Sequence, residues 1–155
     1  MTIFILRHGQ AEAQISTDEA RQLTDKGRSD TARVVQARIA DMNPLMQIWA
    51  SPLVRAQQTA VIAAGYFSGI AIQTTELLVP EANPQALIKW LGELNARSSS
   101  QSILLVSHQP LVGSLVNMLC SKPEHYYPMG TSSLAAIRAE LIAADMGDLL
   151  WLDHA

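Results

Sequence analysis

Cysteine, charge and long apolar runs are all scarce in this chain, and each scarcity excludes a class of protein. The 155 residues include a single cysteine, so no disulfide can form within the chain, and we expect a reducing, cytoplasmic setting. Only 16% of the residues are charged while 48% are hydrophobic, a balance that excludes intrinsic disorder. The net charge of −3 provides no basic excess, so we predict no nucleic-acid partner.

Membrane and nucleotide-binding signals are missing as well. The most apolar later window, residues 103–119, is interrupted by Ser107, His108 and Asn117, so we predict no membrane span. The N-terminus lacks the basic region and the apolar length of a signal peptide. The sequence contains neither a Walker motif nor a Gly-x-Gly-x-x-Gly motif. Its length and composition predict a single domain over residues 1–155.

The chain begins with an apolar stretch that ends in basic residues. Ile3–Leu6 predicts a strand buried on both faces, and Arg7, His8 and Gly9 follow it directly. Open α/β sheets bind ligands at the C-terminal ends of their strands, which is where Arg7 and His8 would lie. Gly9 has no Cβ, so the backbone can turn sharply there or admit a ligand. The alternative for an isolated Arg-His-Gly sequence is a surface turn with a solvated arginine.

Two later segments repeat this arrangement. Ile48–Ala50 is followed by Arg55 in the first turn of a predicted helix, and Ser102–Ser107 is followed by His108. Because the C-terminal ends of parallel strands meet at one edge of a sheet, we expect these segments and the first strand to converge on one pocket. With Arg7, the basic residues of such a pocket would bind an anion.

Strands and helices alternate along the chain as far as residue 120. We predict an α/β fold of three layers, in which a mostly parallel, doubly wound sheet carries helices on both faces and ends in an antiparallel edge. Ser98–Ser100 is predicted to be a surface connection. The other predicted elements are a helix capped by Thr24 and ended by Asn43-Pro44, strands Met46–Ala50 and Gly69–Thr74, a helix capped by Ser51 with Pro52 in its first turn, a loop Glu76–Asn83, helices beginning at Pro84 and Pro110, and strands Ser133–Ala139 and Leu149–Asp153.

The arginines and histidines of this pocket suit phosphoryl chemistry. A guanidinium offers fixed donors in a fork that matches phosphoryl oxygens, the role predicted for Arg7 and Arg55. A neutral imidazole is an accepted covalent nucleophile, and we predict that His8 attacks phosphorus. Neighbouring cations favour the neutral form of His8, and a backbone carbonyl would hold its second ring nitrogen. His108 is then a donor to the phosphoryl oxygens.

Other uses of the two histidines are weaker. Either one alone is typical of a buried histidine that only satisfies neighbouring polar groups, but two arginines at matching strand ends argue against that use here. Two histidines without a further His or Cys at ligand spacing do not complete a zinc site. We therefore predict neither a metal nor another cofactor.

Three motifs together carry a resemblance to a known family. The motifs are Arg7-His8-Gly9, Ser51-Pro52-x-x-Arg55-Ala56-x-x-Thr59 and Ser107-His108-x-Pro110-x-x-Gly113. In order and spacing they resemble the histidine phosphatase superfamily, also called the phosphoglycerate mutase-like fold. Within it the chain is most similar to the SixA family of small bacterial phosphohistidine phosphatases, because it lacks the inserted helices with which larger members cover the site.

The resemblance implies a protein phosphohistidine phosphatase with no lid over its site. It implies that His8 forms a covalent phosphohistidine intermediate. Arg7, Arg55 and Gly9 would hold the phosphate, with His108 as the second phosphate-binding histidine. The substrate would be phosphohistidine on a signalling or phosphotransfer protein, such as a histidine-phosphotransfer domain or a phosphocarrier. Two alternatives stay open: a small-molecule phosphomonoesterase of the same superfamily, and a non-catalytic phosphoprotein-binding module.

The general acid is the one role that the resemblance does not assign. Larger members use a glutamate in the inserted region, and Val79 stands near its place in this chain. Asp18, Glu12 and Glu81 are the candidates for the role. For each of them the alternative is a solvated loop carboxylate.

Overall fold

A six-stranded sheet forms the centre of the structure, a computed structural model that describes residues 1–97 and 101–155. The predicted surface connection Ser98–Ser100 lies outside the described residues. No described helix has the length and apolar character needed to cross a membrane. The strands are β1 (Thr2–Arg7), β2 (Gln47–Ala50), β3 (Ile72–Thr74), β4 (Ser102–Ser107), β5 (Leu134–Arg138) and β6 (Asp148–Asp153). The helices are α1 (Asp25–Ala37), α2 (Ile39–Met42), α3 (Val54–Ala64), α4 (Pro84–Arg97) and α5 (Leu111–Leu119), with a 3₁₀ turn at Glu76–Leu78.

Strand β1 lies inside the sheet, whose order is β3-β2-β4-β1-β5-β6. It pairs in parallel with β4, and β2 pairs in parallel with both β4 and β3, while β5 and β6 form an antiparallel edge. Arg7 pairs with Ser107 and Ala50 with Val106, so β1, β2 and β4 end at the same edge of the sheet. The predicted mostly parallel sheet with an antiparallel edge is confirmed.

Helices cover both faces of this sheet, as predicted. Successive side chains of β1 point to opposite faces, so Ile3 and Ile5 pack with α4 and α5, while Phe4 and Leu6 pack with α1 and α3. Phe4 is 2% exposed and the other three are fully buried. Because both faces of the middle of β1 are enclosed in this way, the strand presents side chains toward solvent only at its two ends.

The start of α3 and the course of the first helix differ from the prediction. Ser51 precedes α3 instead of capping it: the helix begins at Val54, with Leu53 at the N-cap position. The Ser51 hydroxyl lies 2.8 Å from Nε2 of His108, so it is held across the sheet edge rather than turned to the free N–H groups of the helix. The predicted first helix is two helices, α1 and α2, which are interrupted at Arg38.

The connection after β3 has more structure than the predicted loop Glu76–Asn83. Thr75 Oγ1 accepts a hydrogen bond from the Leu77 N–H and begins the 3₁₀ turn, whose Leu78 is fully buried. Asn83 then caps α4 through its Oδ1, which accepts from two backbone N–H groups. The strand before this connection is three residues long, shorter than predicted.

Candidate active site

His8 follows β1 directly and is held by backbone hydrogen bonds. Its N–H donates to the Ser107 carbonyl at the end of β4 (2.9 Å), and its carbonyl accepts from the Ser132 N–H (3.2 Å). The ring Nδ1 lies 2.7 Å from the Gly9 carbonyl oxygen, which can only accept, so Nδ1 carries the proton. The other nitrogen, Nε2, is therefore the one with a free lone pair.

Arg55 brings its guanidinium to this lone pair from the first turn of α3. The residue is 4% exposed, and its Nε lies 3.3 Å from His8 Nε2. Its other two nitrogens donate to Asp18, Nη1 to the backbone carbonyl (2.8 Å) and Nη2 to the carboxylate (3.0 Å). The strand end and the helix start that were predicted to be neighbours thus bring an imidazole lone pair and a cation into contact.

Arg7 and His108 add two buried nitrogens that have no hydrogen-bond partner among the described residues, Arg7 Nε and His108 Nδ1. Arg7 uses Nη1 to donate to the Met129 carbonyl (2.9 Å). His108 uses Nε2 to bond the Ser51 hydroxyl (2.8 Å), which also accepts from the Leu53 N–H (3.3 Å). In the tautomer in which the hydroxyl donates its proton to Nε2, Nδ1 of His108 is an N–H donor. Buried donors without acceptors are unfavourable, and an oxyanion bound here would supply the acceptors.

Burial keeps both histidines neutral. The pKa of His8 is lowered to about 4, mainly by loss of hydration; the Gly9 hydrogen bond opposes this shift, and the positive charges of Arg55 and Arg7 add to it. The pKa of His108 falls to about 3, again mainly because of burial, and the two rings are 5.0 Å apart. A neutral His8 keeps the lone pair that a nucleophile needs at neutral pH.

The four predicted side chains, those of Arg7, His8, Arg55 and His108, line one cavity of about 460 Å³. Of the three candidate acids, only Asp18 is among the described residues that line this cavity. The other two candidates, Glu12 and Glu81, are exposed and do not belong to that described lining. The geometry therefore gives no support to either of them as the general acid.

Arg21 also lines this cavity, although no sequence motif pointed to it. It lies with Asp18 in the segment between β1 and α1, whose residues show no apolar period. Arg21 Nη1 donates to Asp18 Oδ1 (2.9 Å), and this bond, ahead of the one from Arg55, lowers the pKa of the Asp18 carboxyl. Asp18 is thus ionised at neutral pH. The only signal for Arg21 in the sequence was a basic residue in the loop after the first motif.

Two glycines and a threonine set the position of the loop after β1. The Gly9 N–H donates to Thr59 Oγ1 (3.1 Å), and Gly9 is not among the residues that line the described cavity. Thr59 Oγ1 in turn donates to the Arg55 carbonyl (2.7 Å), which ties the loop to α3. A Cβ on Gly9 would lie 2.6 Å from the Gly27 oxygen, and one on Gly27 would lie 2.1 Å from the Gln10 oxygen. The loop and α1 approach this closely because both residues are glycine.

Sequence comparison identifies the family of the chain. The profile of the histidine phosphatase superfamily (branch 1) matches residues 3–79. A phosphohistidine phosphatase SixA homolog of Haemophilus influenzae is 33% identical, over 86% of this chain and 87% of the relative. The chain belongs to the histidine phosphatase superfamily. The phosphohistidine phosphatase SixA of Escherichia coli is 29% identical, over 88% of this chain and 83% of the relative.

Structural comparison agrees with this membership. The protein histidine phosphatase SixA, solved in complex with tungstate, superposes with a TM-score of 0.87 and 25% identity, over 98% of this chain and 96% of that chain. The fold is the phosphoglycerate mutase-like fold of the superfamily, and the described residues between β3 and α4 form a 3₁₀ turn and short loops rather than a lid. Within the described residues, no group of three His, Cys, Asp or Glu side chains is placed to hold a metal ion.

Proposed function

We propose that this member of the superfamily is a protein phosphohistidine phosphatase whose nucleophile is His8. The observation that carries the proposal is the environment of His8 Nε2. Its lone pair faces a buried guanidinium, in a cavity to which Arg7 and His108 contribute nitrogens that are unpartnered within the described chain. A phosphoryl group among these residues would meet a nucleophile at phosphorus and donors at its oxygens. The relatives named as phosphohistidine phosphatases support the same assignment.

The proposed reaction consists of two displacements at phosphorus. In the first, His8 Nε2 forms a bond to phosphorus while the phosphorus–nitrogen bond of the substrate breaks, and the substrate histidine leaves as a neutral ring with the proton that it already carries. In the second, a water oxygen attacks the phosphorylated His8 and the bond to Nε2 breaks. The electron pair returns to Nε2, and inorganic phosphate leaves with the oxygen of the water, whose surplus proton passes to solvent.

Arg7 and Arg55 would supply the positive charge for both displacements, and His108 would add a hydrogen bond from a neutral ring. A guanidinium is charged at every relevant pH, so its stabilisation of the phosphoryl oxygens needs no proton transfer. When His8 uses its lone pair for attack, the Arg55 Nε–H that faces it becomes free to donate to a phosphoryl oxygen. The proposed mechanism uses no metal ion.

The ionised state of the carboxylate that lines the cavity favours phosphohistidine over an alkyl phosphate as substrate. Asp18 is ionised, and the other candidate carboxylates do not line the described cavity. An alkoxide leaving group is strongly basic and needs a proton in the transition state. An imidazole has a pKa of about 6.5, so it already carries a proton near neutral pH and leaves easily. The absence of a lid among the described residues would let phosphohistidine on a histidine-phosphotransfer domain or a phosphocarrier, in the cytoplasm, reach His8.

The test compares kcat/KM for a histidine-phosphotransfer domain phosphorylated on its histidine, for free phosphohistidine and for a sugar phosphate. Both phosphohistidine substrates should be hydrolysed much faster than the sugar phosphate, and chelation with EDTA should leave the rates unchanged. A faster sugar phosphate would identify a small-molecule phosphomonoesterase instead. Binding of the phosphoprotein without turnover would identify a binding module.

Trapping the intermediate tests the nucleophile separately. The reaction is quenched with alkali during turnover, because phosphohistidine is acid-labile. Peptide mapping should then find phosphate on His8. His8→Ala should abolish both turnover and the trapped phosphate. His154→Ala, which changes a histidine bonded to Ser133, is the matched control and should retain both. Phosphate on another residue would refute the role of His8.

A further inference from the structure

We propose that Arg21 is a third arginine of the phosphoryl-binding site and donates a hydrogen bond to an oxygen of the phosphoryl group beside Arg7 and Arg55. This inference rests on the proposed function and adds to it a substrate-binding residue that lies outside the three sequence motifs. Arg21 belongs to the segment between β1 and α1, and its side chain lines the cavity beside His8 together with those of Arg7 and Arg55. The side chain is 28% exposed, so it stays open to a ligand that enters from solvent.

Asp18 connects Arg21 to the central residues of the site. Arg21 Nη1 donates to Asp18 Oδ1 (2.9 Å), and Arg55 Nη2 donates to Asp18 Oδ2 (3.0 Å). The two guanidinium groups are therefore neighbours, because both are bonded to one carboxylate. Arg55 in turn contacts His8, with its Nε 3.3 Å from Nε2 of the ring. This chain of contacts places Arg21 next to the arginine that faces the proposed nucleophile.

Arg21 is held in place and still has an unused donor. Its Nε donates to the Glu12 carbonyl (2.7 Å), so Nε and Nη1 are both bonded within the protein. A guanidinium carries five N–H donors, and Nη2 of Arg21 has no hydrogen-bond partner among the described residues. The segment is itself attached to the helix of Arg55, since the Val54 N–H donates to the Glu19 carbonyl (3.0 Å). An arginine that is ordered before the ligand arrives loses little side-chain entropy on binding.

The charges that line the cavity show what a third arginine adds. Burial keeps both histidines neutral, and the hydrogen bonds from Arg21 and Arg55 lower the pKa of Asp18, which is ionised. The Asp18 carboxylate thus offsets one positive charge, and Arg7 and Arg55 alone would leave one positive charge in excess. A phosphoryl group carries about two negative charges near neutral pH. With Arg21 included, the described lining has an excess of two positive charges, which matches that group.

The alternative is that Arg21 only forms an ion pair with Asp18. Two observations argue against it: Arg21 lines the cavity, and its positive charge reaches His8, whose lowered pKa has burial as its main cause and the charge of Arg21 as a lesser one. Arg33 and Asp30 form an ion pair with the same spacing in α1 (2.8 Å), and Arg33 is not among the residues that line the described cavity. Arg33 is therefore the matched control for Arg21.

The experiment measures the dissociation constant of inorganic phosphate by titration calorimetry, and kcat/KM for a histidine-phosphotransfer domain phosphorylated on its histidine. Arg21→Gln should weaken phosphate binding by about tenfold and lower kcat/KM by about as much, the usual loss for one hydrogen bond to a charged group. Arg21→Lys keeps the charge on a single nitrogen that cannot span both Glu12 and Asp18, so it should bind phosphate more tightly than Arg21→Gln. Arg33→Gln should match the wild type in both measurements.

Asp18→Asn provides a background that separates a direct contact from an effect through Asp18. If Arg21 bonds the phosphoryl group, Arg21→Gln should weaken phosphate binding by the same factor in the Asp18→Asn protein as in the wild type. Disappearance of the effect in that background would overturn the inference. Equal losses in Arg21→Lys and Arg21→Gln would also overturn it, because they would assign the effect to the conformation of the segment.

Phosphate binding is measured without turnover, so the inference and the proposed function can fail separately. Hydrolysis of the phosphorylated domain, with kcat/KM and phosphate affinity unchanged in Arg21→Gln, would refute the role of Arg21 alone. Phosphate binding that depends on Arg21, without hydrolysis by the wild type, would refute the proposed function alone. A wild-type protein that neither binds phosphate nor hydrolyses the domain would refute both.

Discussion

The Nε of Arg55 lies 3.3 Å from Nε2 of His8, so a buried cation contacts the nitrogen that carries the free lone pair. A fixed positive charge at this place opposes protonation of the imidazole, which is one reason why the pKa of His8 is lowered to about 4. The same charge lies next to the point where a phosphoryl group would meet Nε2. One contact can thus keep the proposed nucleophile neutral and stabilise the group that it would attack.

Removal of the Arg55 guanidinium should therefore lower the rate of hydrolysis strongly. We expect Arg55→Ala to lower kcat on a phosphohistidine substrate by about a hundredfold or more, the usual effect of losing a preorganised donor to a reacting oxyanion. Steady-state kinetics on purified protein checks this. The matched control is Arg33→Ala, because the exposed Arg33 pairs only with Asp30 in the described structure, and it should retain full activity. Equal losses in the two variants would contradict the role of Arg55.

Asp18→Asn tests whether Asp18 donates a proton to the leaving group or only accepts hydrogen bonds from its arginine neighbours. Asp18 accepts hydrogen bonds from Arg21 and Arg55, and its pKa is lowered, so it has no proton to give near neutral pH. We expect the loss on phosphohistidine to stay below about tenfold, whereas loss of a general acid would lower the rate about a hundredfold or more. Glu12→Gln and Glu81→Gln are the companion variants, and neither should change kcat. A large loss in any of the three would show that the leaving group requires more help than proposed.

Acid should destabilise the protein well before it protonates the folded histidines. Histidines of the unfolded chain take up protons near a pKa of about 6.5, whereas the pKa values of His8 and His108 in the folded protein are lowered to about 4 and about 3. From about pH 6.5 down to about pH 4 the unfolded state binds more protons, so the free energy of unfolding should fall as the pH falls. Denaturant unfolding measured across this range checks the slope.

A substitution tests whether the buried histidines cause this dependence of the unfolding free energy on pH. His8→Asn removes one of the two buried titrating groups and should make the pH dependence of the unfolding free energy shallower. A stability that does not change between about pH 6.5 and about pH 4 would show that the buried histidines are not held neutral.

Gly27→Ala tests the close approach between α1 and the loop that follows β1. A Cβ at this position would lie 2.1 Å from the Gln10 carbonyl oxygen, so the backbone of the loop must shift. We expect the free energy of unfolding to fall by about 1–3 kcal/mol, and kcat to fall with it because the loop begins next to His8. Gly130→Ala is the control, since the nearest atom to its Cβ would be Ser133 Oγ at 3.5 Å, an ordinary contact. Similar unfolding curves for the two variants would contradict this account.

The sequence was sufficient to predict the sheet and the four central side chains of the site. Apolar runs such as Ile3–Leu6 predict buried strands because burial on both faces leaves no room for polar side chains. The first polar residues after such runs lie at the strand ends, and parallel strands end at one edge of a sheet. That is why Arg7, His8, Arg55 and His108 could be assigned to one pocket without a structure, and they line one cavity.

The hydroxyl of Ser51 shows where local rules were not sufficient. A serine followed by proline before an apolar period is typical of a helix cap, and the sequence predicted one. In the structure its hydroxyl bonds His108, which comes from another strand. The local sequence contains no sign of that ring, and only the packing of α3 beside β4 brings it within reach of the hydroxyl.

The conformation of the segment between β1 and α1 is determined by tertiary contacts alone. Its residues have no apolar period, so nothing in the sequence distinguished Asp18 from Glu12 as a residue that lines the cavity beside His8. The distinction comes from Arg55 in α3, which donates hydrogen bonds to both the backbone carbonyl and the carboxylate of Asp18. The sequence by itself determined which strands are buried and which basic residues end them, because burial depends on residue type and period. The conformation of the loop that completes the site depends on contacts between residues far apart in the chain, and these exist only once the chain has folded.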